Sequence, residues 1–192
     1  AHAATTLHNL AEIHESLGRP DTAQRLLGRS LTLRRQSEDR FGEACTLVVL
    51  GRVQALAGDI ASATANLNDG IRLSSQVGYL ESEWEGLICR AELARRCDDP
   101  VTATRDLDAA LTIARQAANQ YWIALTHWSC ARLRAQAGDQ IAADIDRSRV
   151  APVLAGHTSV RKLSLERLVG AQIHTASDAH PAPDESTVDD PT

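Results

Sequence analysis

The hydrophobic positions of the chain follow a helical spacing through most of its length. Near the start, Leu10, Ala11, His14 and Leu17 recur at steps that place them on one face of a helix. A second set with the same spacing begins after Gly18. No segment alternates hydrophobic and polar residues in the manner of a strand. The pattern therefore predicts an all-α protein.

A shift of the chain against itself by forty residues aligns residues of the same kind. Such a period is typical of helical repeat proteins. One set of aligned residues lies at the turns between helices: Gly18, Gly58, Asp98 and Gly138. Two further sets consist of small residues. They are Ala11, Gly51, Ala91 and Ala131 in the first helix of each unit, and Ala23, Ala63, Ala103 and Ala143 in the second. Each unit therefore contains two helices, and the small residues mark where they approach each other closely.

Each unit resembles the tetratricopeptide repeat. The resemblance rests on Leu10-Ala11, Gly18, Ala23, Leu27 and Ser30-Leu31, and in the next unit on Leu50-Gly51, Gly58, Ala63 and Leu67. It implies a right-handed solenoid of antiparallel helix pairs, with about four long units across residues 1–150. It also implies a module that binds proteins or peptides and catalyses no reaction.

A finer resemblance concerns the segment from Arg34 to Ala44. It is similar to the connection between repeats in actinobacterial SARP-type and related signalling-ATPase regulators of transcription, whose repeats form the C-terminal sensor region. This resemblance implies a role in signalling and transcription regulation. Because the chain does not begin with Met, we expect a piece of a longer protein. The alternative is a free-standing scaffold or peptide receptor with no link to transcription.

The repeat resemblance also implies which side chains line the concave face of the solenoid. The first helix of each unit carries them, and His8, Glu12, Cys45 and Glu85 hold such positions. We predict that a partner contacts this face at Val48, Arg52, Ile88, Glu92, Leu125, Trp128 and Arg132. The alternatives are that these side chains pack against their neighbours, or that Leu163 or Leu168 of a C-terminal helix covers Trp128.

Charge and hydropathy exclude two classes of partner. The chain has 25 acidic and 20 basic residues. Five of the acids lie in residues 176–192, which contain no Lys or Arg, so the remainder balances at 20 against 20. A neutral body argues against direct nucleic-acid contact, which depends on neutralising phosphates.

The mean hydropathy is −0.24, and no apolar stretch reaches the roughly 20 residues of a membrane span. No signal-peptide pattern opens the chain, so we expect neither a membrane partner nor secretion.

The cysteines and histidines give little indication of chemistry. Cys45, Cys89, Cys97 and Cys130 form no CxxC pair and have no His at zinc spacing, so we interpret them as reduced core thiols of a cytoplasmic protein. His8 and Glu12 lie one helical turn apart, but a polar helix face explains them better than a metal site. Because no phosphate-binding loop or hydrolase motif is present, we expect no enzyme activity, no metal and no cofactor.

The C-terminal part differs in composition from the repeats. Residues 151–175 are predicted to form a capping helix with Val160, Leu163, Leu168 and Ile173 on its apolar face, since a solenoid needs its open end covered. Residues 176–192 are rich in Pro, Asp, Ser and Thr, and we predict a disordered acidic tail.

Overall fold

The computed structural model describes residues 2–155 and Leu168. Within this part the chain forms eight α-helices. They are α1 (His2–Ser16), α2 (Pro20–Gln36), α3 (Arg40–Ala57), α4 (Ile60–Val77), α5 (Leu80–Arg96), α6 (Pro100–Gln116), α7 (Gln120–Gln136) and α8 (Gln140–Ala155). The all-α prediction is therefore confirmed for the described residues, and each predicted unit is one pair of these helices.

The turns between helices have a regular backbone conformation. A positive φ occurs at every twentieth residue: Gly18, Glu38, Gly58, Gly78, Asp98, Ala118 and Gly138. A left-handed residue ends a helix and reverses the chain within two or three residues. Consecutive helices joined by such short turns are antiparallel. The repeat of forty residues therefore consists of two helices with turns spaced twenty residues apart.

Side-chain caps begin most of the helices after these turns. The carboxylates of Asp39, Asp59 and Asp99 accept backbone hydrogen bonds from the residues three positions later, at 2.9, 3.1 and 3.0 Å. The hydrogen bonds from Ser62 and Thr102 lower the pKa of Asp59 and of Asp99 below the ordinary value. Both carboxylates therefore remain ionised, and the caps remain intact, until the solution becomes more acidic than the usual range for Asp.

The packing order defines two layers. Each helix packs on the next one in the chain, and the odd-numbered helices also pack on one another, α1 on α3, α3 on α5 and α5 on α7. We call α1, α3, α5 and α7 the inner layer. The even-numbered helices lie behind it, mainly against the odd helices before and after them. This arrangement is that of a solenoid of stacked helix pairs.

The aligned small residues lie where the helices of a pair meet. All eight are buried. At Gly51 of α3 an added Cβ would lie 2.7 Å from Leu67 Cγ and 3.1 Å from the carbonyl oxygen of Ala63 in α4. A larger side chain at this crossing would push the two helices apart.

Two further glycines allow close contact at Val48, and the forty-residue alignment did not reveal them. An added Cβ on Gly70 of α4 would lie 2.7 Å from Val48 Cγ2, and one on Gly86 of α5 would lie 3.2 Å from it. Val48 is fully buried between them. The second and third helix pairs therefore meet around one valine side chain.

Aromatic contacts join the later units. Trp84 of α5 and Trp122 of α7 stack with ring centroids 4.9 Å apart. The Trp84 indole N–H donates to Thr126 Oγ1 at 3.0 Å. Both tryptophans therefore serve packing between units.

The C-terminal predictions fall mostly outside the described residues. Helix α8 continues to Ala155, beyond the boundary expected at residue 150, and includes Pro152. The capping helix predicted over residues 151–175 is otherwise described only at Leu168, and the tail predicted over 176–192 lies outside the described part.

Replacing Ala63 by Leu should lower the free energy of unfolding by about 1–3 kcal/mol, because the larger side chain overpacks the α3–α4 crossing. Thermal melting followed by circular dichroism measures the effect. Ala65→Leu is the matched control, since Ala65 is exposed on the same helix. Equal shifts in the two melting temperatures would contradict the assigned crossing.

Ala118→Gly should raise the free energy of unfolding by about 1 kcal/mol, because Ala118 has a φ of 50° that costs an L-residue roughly that much. Ala109→Gly, at an exposed position inside α6, should lower it by a similar amount. Urea unfolding of both variants gives the comparison. A destabilised Ala118→Gly protein would show that the turn is not under conformational strain.

Candidate functional site

The inner layer places charged side chains from successive units next to one another. At one repeat position the residues are Glu12, Arg52, Glu92 and Arg132, in helices α1, α3, α5 and α7. The sign of the charge alternates along this series. Neighbouring inner helices therefore present opposite charges to each other, and we call the four residues with their ion-pair partners Glu15 and Glu85 the inner charge row.

Arg52 is the centre of this row. Its side chain is fully buried. Its Nε donates to Glu15 Oε1 at 2.9 Å, and its Nη2 donates to Glu15 Oε2 at 2.6 Å. Its Nη1 donates to Glu85 Oε1 in α5, and Glu12 Oε1 lies 3.8 Å from Nη2. One guanidinium therefore connects α1, α3 and α5.

The electrostatics of Arg52 favour its charged form. Burial alone would lower the pKa of the guanidinium, but Glu15 and Glu85 outweigh that effect and raise the pKa above its ordinary value. A buried ion pair is stable only when hydrogen bonds satisfy both partners, as they do here for Arg52. Arg52 and its carboxylates therefore act as one structural unit across three helices.

A second pair occupies the other end of the row. Arg132 Nη1 lies 3.1 Å from Glu92 Oε1, and Arg95 donates two hydrogen bonds to the same carboxylate, at 2.7 and 2.9 Å. The side chain of Glu92 is 2% exposed and that of Arg132 is 25% exposed. Burial lowers the pKa of Arg132, and Glu92 opposes that shift. The inner charge row is therefore fully buried at Arg52 of α3 and partly exposed to solvent at Arg132 of α7.

The three aliphatic side chains of the predicted partner-binding set are inside the protein. Val48, Ile88 and Leu125 are each 0% exposed. Val48 packs against the second and third units as described above, and Ile88 and Leu125 belong to one apolar core cluster. In the structure these three side chains pack against their neighbours. Contact with a partner stays a prediction, and it requires the three side chains to become exposed.

Trp128 and Arg132 differ from the rest of that set, because both are only partly buried. Within the part of the chain that the structure describes, the Trp128 Nε1 atom has no hydrogen-bond acceptor, although it is shielded from solvent. Arg132 Nη1 has Glu92 as its ion-pair partner. Residues four apart on a helix are neighbours on its surface. One buried donor on α7, beside Arg132, therefore lacks an acceptor, which is rare for buried polar atoms.

The structure corrects the interpretation of the cysteines as core thiols. Cys45 and Cys89 are buried, but Cys97 is exposed and Cys130 is only partly buried. Cys97 is the C-terminal cap of α5, where the chain turns at the surface. Burial raises the pKa of the Cys130 thiol to about 11, so this thiol remains protonated at neutral pH.

His8 is not part of a metal-binding cluster in the described residues. Among them, no three or more His, Cys, Asp or Glu side chains lie close enough together to hold a metal ion. The Nδ1 atom of His8 lies 3.3 Å from Thr46 Oγ1, and its Nε2 lies 3.8 Å from Cys45 Sγ. His8 is therefore in contact with α3 through two side chains.

The ion pairs of the inner charge row were not predicted from the sequence. Arg52 and Glu92 were assigned to the partner surface, and their opposite signs forty residues apart were the available signal. Arg90 of α5 makes a further set of such contacts. It donates to both oxygens of Asp106 in α6, at 2.6 and 2.9 Å, and to Asn68 in α4 at 2.7 Å, so it ties three helices together behind the inner layer.

Comparison with known proteins agrees with this architecture. Residues 2–76 match the family model of the tetratricopeptide repeat. These residues are a tetratricopeptide repeat region. The matched residues cover α1 to α4, and α5 to α8 continue the same pairwise arrangement beyond the tetratricopeptide repeat region. Comparison with curated proteins gives no match. Among the helices described, none has the length and apolarity needed to cross a membrane.

Replacing Arg52 by Met should lower the free energy of unfolding by about 3–5 kcal/mol, because it leaves buried carboxylates without their cation. Arg72→Met is the control. Arg72 pairs with Asp69 at 3.0 Å, but both side chains are more than half exposed, so its loss should cost less than about 1 kcal/mol. Urea unfolding at neutral pH measures both.

The loss in the Arg52→Met protein should come from the carboxylates that it leaves without a cation. Adding Glu15→Gln and Glu85→Gln should therefore recover part of the lost free energy of unfolding, because a buried amide costs less than a buried carboxylate without a partner. A triple variant no more stable than Arg52→Met would contradict the account.

Proposed function

We propose that the chain is a non-catalytic module that binds a protein or peptide through the α7 part of its inner layer. The observation that carries the proposal is the buried Trp128 Nε1 donor, which has no acceptor among the described residues and lies one helical turn before the partly exposed Arg132. A partner backbone carbonyl would satisfy the Trp128 donor. Tryptophan and arginine are also the residues most enriched at binding hot spots.

The family match supports the class of function. Tetratricopeptide repeats generally serve as protein-interaction scaffolds, and the matched residues form the first two pairs of the array. The inner layer is the surface that such a solenoid offers continuously from pair to pair. The cytoplasm is the compartment we propose, because all four cysteines are free thiols.

The finer proposal is that this module is the sensor or interaction region of a bacterial transcription regulator. Its support is the resemblance of the segment from Arg34 to Ala44 to the connections in such regulators. The alternative is a free-standing scaffold or peptide receptor. The sequence encoded next to this chain in the same gene distinguishes the two functions. A nucleotide-binding domain and a DNA-binding domain encoded upstream in the same gene would support the regulator, and their absence there would support the scaffold.

The binding surface can be tested with peptides selected from a random library against the full chain. Trp128→Ala should weaken the selected peptides by about 2 kcal/mol, or roughly thirtyfold in Kd, measured by isothermal titration calorimetry. Trp128→Phe keeps an aromatic ring but removes the donor, and should cost about 1 kcal/mol.

Trp122→Phe is the matched control, because Trp122 is also partly buried on α7 but stacks on Trp84. It should leave peptide affinity unchanged. Equal losses for Trp122→Phe and Trp128→Phe, or selected peptides that bind Trp128→Ala as tightly as the wild type, would contradict the proposed surface.

A further inference from the structure

His8 of α1 and Cys45 of α3 face each other where the first two inner helices meet. The Nε2 atom of His8 makes a hydrogen-bonding contact with Cys45 Sγ at 3.8 Å. The other ring nitrogen, Nδ1, lies 3.3 Å from the hydroxyl oxygen of Thr46. A thiol, an imidazole and a hydroxyl therefore form one continuous chain of polar contacts between α1 and α3.

This chain has the arrangement that activates a nucleophilic thiol. In such an arrangement a base within hydrogen-bonding reach accepts the proton of the sulfur, and a third group orients the base. The Thr46 hydroxyl can accept the Nδ1 proton of His8, which leaves the lone pair of Nε2 directed at the Cys45 sulfur. Because the thiolate is the reactive form of cysteine, His8 is placed to make Cys45 reactive.

The repeat shows that packing alone does not require these residue types. At the position of His8, the second and third units have Val48 and Ile88, and both are 0% exposed. At the position of Cys45, the fourth unit has Leu125, which is also 0% exposed. Aliphatic side chains therefore fill both positions elsewhere in the inner layer, whereas the first contact between units carries a polar pair.

Solvent access separates Cys45 from the other buried thiol. Cys45 is 9% exposed, whereas Cys89 is 0% exposed. Residual exposure allows a small reagent to reach a side chain when the structure opens locally. Cys45 therefore combines limited access with a neighbouring base, and Cys89 is a reference for a thiol that the folded protein shields.

We propose that Cys45 is a modification site that reacts with small electrophiles such as low-molecular-weight disulfides, with His8 as proton acceptor and Thr46 as the positioning residue. The Cys45 proton moves to His8 Nε2, and the thiolate attacks one sulfur of the disulfide. The disulfide bond breaks, a new bond joins Cys45 to one half, and the other half leaves as a thiolate that takes up the proton. The disulfide is the oxidant of this exchange, so no further reactant is needed.

Modification at this place loosens α1 from α3. The added group needs space beside His8 and Thr46, which are 5% and 0% exposed, and a well-packed interior accommodates extra atoms poorly. The same two helices are joined by Glu15 and Arg52, whose charged atoms lie 2.6 Å apart. The mixed disulfide therefore weakens a contact on which the inner charge row depends, and reduction restores it.

Iodoacetamide alkylation of the full chain at neutral pH tests the reactivity, and mass spectrometry of the digested protein gives the rate at each cysteine. Cys45 should react at least about tenfold faster than Cys89. His8→Ala should lower the Cys45 rate at least about tenfold, leave the exposed Cys97 unchanged, and respond to added imidazole with a partial recovery. A purely steric role of His8 predicts the opposite, because the smaller side chain uncovers the sulfur.

Variants of Thr46 test the positioning role. Thr46→Val keeps the shape of the side chain but removes the hydroxyl, and should lower the Cys45 rate about fivefold, as expected for the loss of one hydrogen bond. Thr46→Ser keeps the hydroxyl and should retain most of the rate. If circular dichroism shows that His8→Ala is unfolded, His8→Gln replaces it, since an amide fills the space but accepts no proton.

Melting of the modified protein tests the loosening of α1. A Cys97→Ser protein treated with 2-hydroxyethyl disulfide should melt about 3–10 °C lower than the untreated protein, and dithiothreitol should restore the original melting temperature. The matched control carries Cys45→Ala in addition to Cys97→Ser, and the same treatment should leave its melting temperature unchanged.

A Cys45 rate equal to that of Cys89, or a His8→Ala protein that reacts faster than the wild type, would overturn the proposed modification site. An unchanged melting temperature of the modified protein would overturn the loosening of α1. These results do not depend on the proposed Trp128 surface, because Trp128 lies on α7 at the other end of the inner layer.

Discussion

The spacing of twenty residues between left-handed turns is the constraint on which the rest of the structure depends. Because each helix and its turn use the same length of chain, equivalent positions of successive pairs meet at the same height. Gly51 then faces Ala63 and Leu67 at a helix crossing, and charges forty residues apart become neighbours. The spacing is kept even where the turn residue is Glu38 or Ala118, which adopt a positive φ at a cost. Register is therefore maintained at the expense of local backbone strain.

The inner charge row is the chemical consequence of that register. Opposite charges on adjacent units lie close together only if equivalent residues of successive helix pairs are aligned. The inner charge row therefore specifies the alignment of the pairs and also stabilises their contact. Burial makes the specification strict, because a displaced Arg52 would leave Glu15 and Glu85 without their cation. The partial exposure of Arg132 at α7 is different. There the series ends without a further unit among the described residues, and the neighbouring Trp128 Nε1 donor has no acceptor among them.

The sequence predicts the architecture well because its signal is repeated. Aligned small residues at Gly51 and Ala63, and turn residues at Gly58 and Gly138, identify the pairs and their crossings without knowledge of the structure. The turns at Glu38 and Ala118 could not be predicted in this way, because these residue types rarely adopt a positive φ and only the neighbouring turns impose it. The exposure of Cys97 was missed for a related reason, since a small apolar residue at a helix end resembles one in the core.

The candidate site was harder to predict than the fold. Family positions indicate which residues belong to the inner layer, but they do not say whether Arg52 faces a partner or the next helix. That depends on the glutamates opposite it, and Glu15 lies outside the assigned positions. Burial of Val48 follows from how closely Gly70 and Gly86 let the pairs approach, which is a property of the packed array and not of any one unit.

A double-mutant cycle between Glu92 and Arg132 tests most directly whether the inner charge row couples one unit to the next. Free energies of unfolding would be measured for the wild type, Glu92→Gln, Arg132→Gln and the double variant. The two side chains lie 3.1 Å apart on α5 and α7, so the account predicts a coupling free energy of about 1–3 kcal/mol that stabilises the pair. Effects that add to within about 0.5 kcal/mol would contradict it, because they would show that the units stack in register without these charges.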